Sequence, residues 1–274
     1  MRILVTGYKG FIGQNLSNYL FTHGHDVEGW EYMDNAVPDP SSYDWVIHLG
    51  AITSTTYTDV DRIIDQNFEY SMRLLQVCDN YGVNFQYASS ASVYGPTTHF
   101  TEDGPLLPQS PYAWSKYLFD RFIKQHKDQF NVLVQGFRYF NVYGPGENNK
   151  GDQASPYTKF TKQAKENGII DVFEKSDYYK RDFVCVEDIC KVHEKMLKVD
   201  ASDIYNVGTG NAESFENVAQ TIAKKYNATI NYIPIPDNIK NQYQEYTCAD
   251  ISKLNSVIDM EWVSIKEYIN AQYN

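Results

Sequence analysis

Residues 1–20 read MRILVTGYKGFIGQNLSNYL, and the order of residue types in this stretch decides the fold. The β-branched, apolar run at 3–6 reads as a strand, and residues 11–23 carry apolar side chains at helical spacing. Between the two stand Gly7, Gly10 and Gly13. Glycine there permits a tight turn and lets the backbone approach a bound anion closely. The helix that follows turns free N–H groups and a positive dipole end toward the same place. The stretch therefore predicts strand, phosphate-binding turn and helix, with a purely structural glycine turn as the alternative.

Working outward, short β-branched runs at 26–31, 45–49, 85–88 and 133–137 alternate with helical stretches near 64–81 and 113–129. This βαβαβ order predicts an α/β fold, a doubly wound parallel sheet with helices on both faces. After Asn141 the turn-rich YGPGENNKGDQ opens a smaller lobe, with helices at 157–167, 214–226 and 264–271. Residues 182–198 read as a strand and helix returning to the first lobe. The predicted division is 1–144 with about 180–206 for the first lobe, and about 145–179 with 207–274 for the second.

The 274 residues, 42% hydrophobic and 22% charged, suit one soluble catalytic unit. Twenty-four basic against 35 acidic residues give a net charge of -11, which argues against a nucleic-acid surface and leaves any anionic ligand to local features. No apolar run approaches the roughly 20 residues that span a bilayer. Met1 leads straight into a strand-like run rather than a signal peptide, so a cytoplasmic protein without a membrane partner is expected. Cys78, Cys185, Cys190 and Cys248 form no CxxC pair and read as reduced, mostly buried thiols. His23 and His25 lack a third ligand in the pattern, so no metal is expected.

Chemistry enters with PYAWSKYLFD, where Tyr112 and Lys116 share one helix face; no other of the 23 tyrosines stands four residues before a lysine. A tyrosine works as acid or base near neutrality only if its pKa falls well below about 10, and a neighbouring ammonium does this by stabilising phenolate. The strand at 85–88 leads to Ser89 and Ser90, and a Ser90 hydroxyl beside Tyr112 would hold a reacting oxygen; the alternative for Ser90 is a turn or cap serine. Glu31, ending the second predicted strand, stands where an acid binds adenosine ribose hydroxyls, which by itself favours NAD; a plain solvated carboxylate is the alternative.

TGYKGFIG, YASSASVYG and YAWSK in this order resemble the extended short-chain dehydrogenase superfamily, which implies a Rossmann-type sheet, here shortened after the second strand, with a smaller α/β substrate lobe. Within it, the chain is similar to the ADP-L-glycero-D-manno-heptose 6-epimerase family. That similarity lies in HLGAITSTTYTD (48–59), GFRYFNVYGPGENNKGDQAS (136–155), FEKSDYYKRDFV (173–184), YNVGTGNAESF (205–215) and IPIPDNIKNQYQEYTCADISKL (233–254). The resemblance implies an NADP-dependent epimerase, with NAD as the other form, acting on a nucleotide sugar as a homo-oligomer. It implies cofactor contacts from Phe11, Ile12, Leu49, Gly50, Ala51, Asn67, Lys116 and Val142, beside the glycines and Glu31. It places Ser54, Thr55, Asn141, Phe173, Glu174, Ser176, Arg181 and Tyr243 at an ADP-sugar, with Arg181 toward the diphosphate. Tyr112 and Lys150 are the implied acid–base pair.

The chain departs from that family in three places. Only a dozen residues separate Glu31 from Asp44, where the family has a further helix and strand and the lysines near a 2′-phosphate. Asp152 and Lys159 replace a serine and a histidine, and Gln242 replaces an arginine. The implied reaction inverts C6 of a heptose through a transient 6-keto sugar. A sugar-nucleotide 4-epimerase, 4,6-dehydratase or ketoreductase, or a cofactor-binding protein without activity, are the rivals.

Overall fold

The computed structural model describes residues 1–33, 36–236 and 244–271, without the side chains of Asn148, Asn149 and Asp152. The first lobe is a six-stranded, wholly parallel sheet in the order β2-β1-β3-β4-β5-β9. Its strands are β1 (Arg2–Thr6), β2 (Asp26–Trp30), β3 (Trp45–His48), β4 (Asn84–Ser90), β5 (Val134–Tyr139) and β9 (Asp203–Val207). Alternation in β1 and β3 explains why helices cover both faces. Leu4 and Val46 point into a core with Leu74, Leu75, Phe119 and Ile123, from α3 (Tyr70–Tyr81) and α4 (Pro111–His126). Ile3, Val5, Trp45 and Ile47 face the other way, onto Leu16 and Leu20 of α1 (Phe11–Thr22) and Cys190 of α6 (Val186–Met196). Truncating one such buried leucine to alanine costs about 2–5 kcal/mol.

With β2 at the edge, the sheet lacks any strand from the short segment after Glu31 among the described residues. The chain leaves β1 for β2 on one side and returns to β3 on the other, which opens a crevice at the C-terminal ends of β1 and β3.

The smaller lobe holds two further sheets. β6 (Asn141–Tyr143) pairs in parallel with β8 (Lys180–Cys185), which pairs antiparallel with β10 (Ala212–Ser214). β7 (Ile169–Phe173) pairs in parallel with β11 (Thr229–Ile233). Residues 182–198 thus divide: β8 joins the small sheet, and α6 packs on α1 of the large one. Asp182 in β8 is fully buried and accepts from the N–H groups of Thr209, Gly210 and Ala249 and the Thr209 hydroxyl. That carboxylate, in place of solvent, satisfies three backbone donors.

Helix starts follow local chemistry. Ser110, Ser155 and Ser214 cap α4, α5 (Pro156–Asn167) and α7 (Phe215–Tyr226), and proline opens α4 and α5. The helix near 64–81 is broken in character, a π-helical turn at Ile64–Glu69 preceding α3. Cys78, Cys185 and Cys190 are buried free thiols and Cys248 is half-buried. No helix among the described residues is long and apolar enough to cross a membrane.

Candidate active site

A cavity of about 660 Å³ lies at the C-terminal ends of β1, β3, β4 and β5, where the crevice opens. Gly7, Gly10, Phe11, Ile12 and Gly13 form one wall. Gly7 has φ +70°, and a Cβ there would stand 2.6 Å from the Gly50 backbone; a Cβ on Gly13 would stand 2.1 Å from the Gly7 carbonyl oxygen. The turn is closed by the Gly10 N–H donating to Gly7 O at 3.0 Å, with Gly10 as the N-cap of α1 and no side chain capping it. The uncapped helix start beside a turn with glycine at 7, 10 and 13 fits a pyrophosphate. Glu31 also lines the cavity, and its carboxylate accepts from the Lys9 N–H at 2.7 Å.

Leu49, Gly50 and Ala51 continue the wall after β3, and Asn141 and Val142 of β6 line the cavity too. Asn67 does not reach the cavity. It is 1% exposed, exchanges two hydrogen bonds with the Ile52 backbone (2.8 and 2.9 Å) and donates to the Ser115 hydroxyl at 3.1 Å. Ser115 in turn donates to Tyr112 O. Asn67 therefore holds the 49–52 segment and α4 in register rather than presenting an amide to a ligand.

Ser90, Tyr112 and Lys116 stand together on the cavity wall. The spacing on α4 worked as predicted, but the electrostatics differ from expectation. Burial pushes the half-buried Tyr112 phenol above its ordinary pKa; a hydrogen bond with Ser90 works the other way, and Asp120 adds to the rise. The Lys116 ammonium donates to the Ala88 carbonyl at 2.8 Å, and burial pulls its pKa down to about 8, Asp120 opposing. The ammonium is thus engaged by a carbonyl, and desolvation of phenolate prevails at Tyr112. Ser90 fills both readings, since it also accepts from Ser92 N–H as the cap of a short 3₁₀ turn.

Behind this wall lies a network that sequence reasoning missed. Asp120, one turn beyond Lys116, pairs with Arg138 of β5 at 2.8 Å, each side chain 1% exposed. Asp120 also accepts from Tyr87 and Ser89, while Arg138 donates to the Tyr94 hydroxyl. A second chain runs from β1. Ser71 donates to Asn67 O, so His48 Nε2–H donates to Ser71 and Nδ1 accepts from Thr6. Burial, then the Lys116 charge, pulls His48 down to about 3, which keeps it neutral.

Lys150 enters from the opposite lobe, on a 3₁₀ turn at Glu147–Gln153, and lines the cavity with its Nζ 4.4 Å from the centre of the Phe11 ring. Burial lowers its pKa and Glu147 opposes this. Ser54 lines the cavity, as does Thr53, whereas Thr55 is exposed outside it. Phe173, Glu174, Ser176 and Arg181 are not on its walls. The Ser176 hydroxyl donates to Glu216, the Glu174 N–H to Ile233 O, and Arg181 lies over the Phe215 ring. Tyr243 and Gln242 lie outside the described residues. Among the described residues no cluster of three metal-ligating side chains occurs.

The model of the NAD dependent epimerase/dehydratase family matches residues 3–208. The chain belongs to that family. It is an enzyme of the epimerase type on a Rossmann-type sheet. The ADP-L-glycero-D-manno-heptose-6-epimerase of Helicobacter pylori is 25% identical, with a TM-score of 0.86 over 98% of this chain and 94% of that chain. The UDP-glucose 4-epimerase of Thermus thermophilus, solved with NAD, is 25% identical, with a TM-score of 0.78 over 93% and 92%. A UDP-N-acetylglucosamine 4-epimerase from Methanobrevibacter ruminantium, 21% identical with a TM-score of 0.86 over 98% and 97%, is alike in fold.

Proposed function

We propose that the protein inverts C6 of the heptose in an ADP-heptose, from the D-glycero to the L-glycero form, through a transient 6-keto sugar. The observation that carries this reading is a single cavity on which the glycine turn, Ser90, Tyr112 and Lys116, and Lys150 from the other lobe all meet. An unactivated carbinol carbon has no neighbouring carbonyl to stabilise a carbanion, so proton removal alone does not invert it. A nicotinamide cofactor, when bound, supplies reversible hydride acceptance.

The chain's own residues then divide the proton work between two faces of the ketone. Tyr112, its pKa raised by burial, stands as a neutral phenol suited to give a proton to the keto oxygen, with the Ser90 hydroxyl beside it. Lys150, its pKa lowered by burial, is the better base from the opposite wall. Lys116 holds the cofactor ribose, and Phe173, Glu174, Ser176, Arg181 and Tyr243 belong to the ADP-sugar side of the same reading.

NADP is the form the motif resemblance implies, and Lys9 is a cation on the relevant wall; Glu31 opposes a 2′-phosphate and favours a free ribose hydroxyl. Nucleotide released by denaturing the purified protein separates the two, and NAD alone would assign the choice to Glu31. The activity is tested with a panel of nucleotide sugars in heavy water, followed by NMR of the products. The expected result is inversion at C6 of ADP-heptose without deuterium at C6, abolished in Lys150→Met. Deuterium at C6 overturns the hydride route, and a product changed at C4 or dehydrated moves the enzyme to another reaction of its family. The same reading includes assembly as a homo-oligomer, which light scattering measures.

A further inference from the structure

We propose that Glu147 is a positioning residue, a buried carboxylate that fixes the Lys150 ammonium over the cavity by tying its turn to the start of α5; this rests on the acid–base reading of Lys150. Glu147 is 1% exposed. Burying a carboxylate is costly unless every lone pair finds a donor. Here Oε1 accepts from the Ser155 N–H at 2.9 Å, and Oε2 accepts from the Ser155 and Thr158 hydroxyls at 2.6 Å each. The carboxylate also sits at the N-terminus of a 12-residue helix, whose dipole favours negative charge.

Helix capping alone does not call for this charge. Ser155 already caps α5 by accepting from the Thr158 N–H, and Pro156 opens the first turn. What a charge adds is an attraction for an ammonium, and Lys150 Nζ lies 3.7 Å from Oε1. On its other side Nζ meets the Phe11 ring, which belongs to the glycine turn of the first lobe. The start of the same segment is pinned to α1 by Asn15 donating to Pro145 O at 2.9 Å. Lys150 is therefore held between the two lobes, with one carboxylate and one ring defining where its amine points. The other titratable groups on the cavity wall come from different elements: Lys9 and Glu31 at the glycine turn and just after β2, Tyr112 and Lys116 on α4, and Tyr139 at the end of β5.

The test pairs a reading of Lys150 itself with a reading of turnover. Acetic anhydride acylates the neutral amine, and mass spectrometry follows Lys150 relative to the exposed Lys224 in the holoenzyme at pH 8. Losing the carboxylate charge destabilises the ammonium, so Glu147→Gln is expected to acylate at Lys150 at least about threefold faster than wild type. With ADP-heptose its kcat should fall at least about tenfold while KM stays within about threefold and the cofactor is retained, and Glu147→Asp should recover part of the kcat. An unchanged acylation ratio in a folded Glu147→Gln overturns the proposal. If that variant does not fold, Thr158→Val removes one donor from the carboxylate, and an unchanged Lys150 acylation ratio and kcat there overturn it equally. Undiminished inversion by Lys150→Met would instead defeat the acid–base reading, while acylation still decides whether Glu147 places the amine.

Discussion

The α4 wall of the cavity and the 144–156 wall face the same space but are held by different means. Behind α4, Asp120 and Arg138 form a desolvated ion pair, further hydrogen-bonded by Tyr87, Ser89, Tyr94 and the Glu102 carbonyl. The 144–156 wall turns on Gly144, Gly146 and Gly151, all at positive φ, and is tied back by Glu147 and Asn15. A buried network of this density holds its members in one arrangement. The glycine-rich turn is fixed instead by a backbone that needs positive φ at three positions and by a few bonds.

The comparison breaks most sharply at Arg138. Arg138→Met leaves Asp120 charged, buried and unpaired, and the expected loss of stability is about 3–5 kcal/mol, read from chemical denaturation. A loss below about 1 kcal/mol would mean the α4 wall does not depend on the pair. Tyr112→Phe touches the chemistry without the network behind it. Turnover should fall at least about a hundredfold, roughly 2.7 kcal/mol on the barrier, with the denaturation midpoint and bound cofactor unchanged.

Acid should weaken the first lobe through its buried imidazoles, His48 on β3 and His193 on α6. Burial pulls both His48 and His193 down to about 3, below the ordinary 6.5. The unfolded chain therefore binds more protons below pH 6.5. The stability these groups contribute is complete above that pH and lost as it falls toward 3, at about 1.4 kcal/mol per pH unit for each. His48→Gln should lose about 2 kcal/mol less than wild type between pH 6.5 and 4.5; equal slopes would show that His48 is not held neutral. The smallest effect belongs to the second lobe. Lys175 adopts φ +63°, where a side chain is strained, and Lys175→Gly should stabilise the protein by about 0.5–1 kcal/mol in thermal or chemical unfolding.

Much of the first lobe was legible because its signals are local. The strand, turn and helix of residues 1–23 appear within one residue of their expected ends, since glycine and periodicity act over a few positions. Tyr112 and Lys116 share a face because helix geometry is fixed by four-residue spacing. Asn67 shows the limit: the family resemblance implies a cofactor contact, but on the π-helical turn its amide bonds the Ile52 backbone. β6, β7, β9, β10 and β11 also escaped sequence reading, because these short strands are set by pairing with partners far along the chain rather than by local turn signals.

By itself, then, the sequence determined the parallel sheet, the glycine turn between strand and helix, the Tyr112 and Lys116 pair and the family motifs, all set by interactions within a turn or two of chain. Tertiary structure decided what those groups experience. It engaged Lys116 with Ala88 O, raised rather than lowered the Tyr112 pKa, and set Asp120 against Arg138. It also brought Lys150 onto the ring of Phe11, 139 positions earlier in the chain. Desolvation and long-range contact have no signature in neighbouring residues, so they became visible only once the chain had closed on itself.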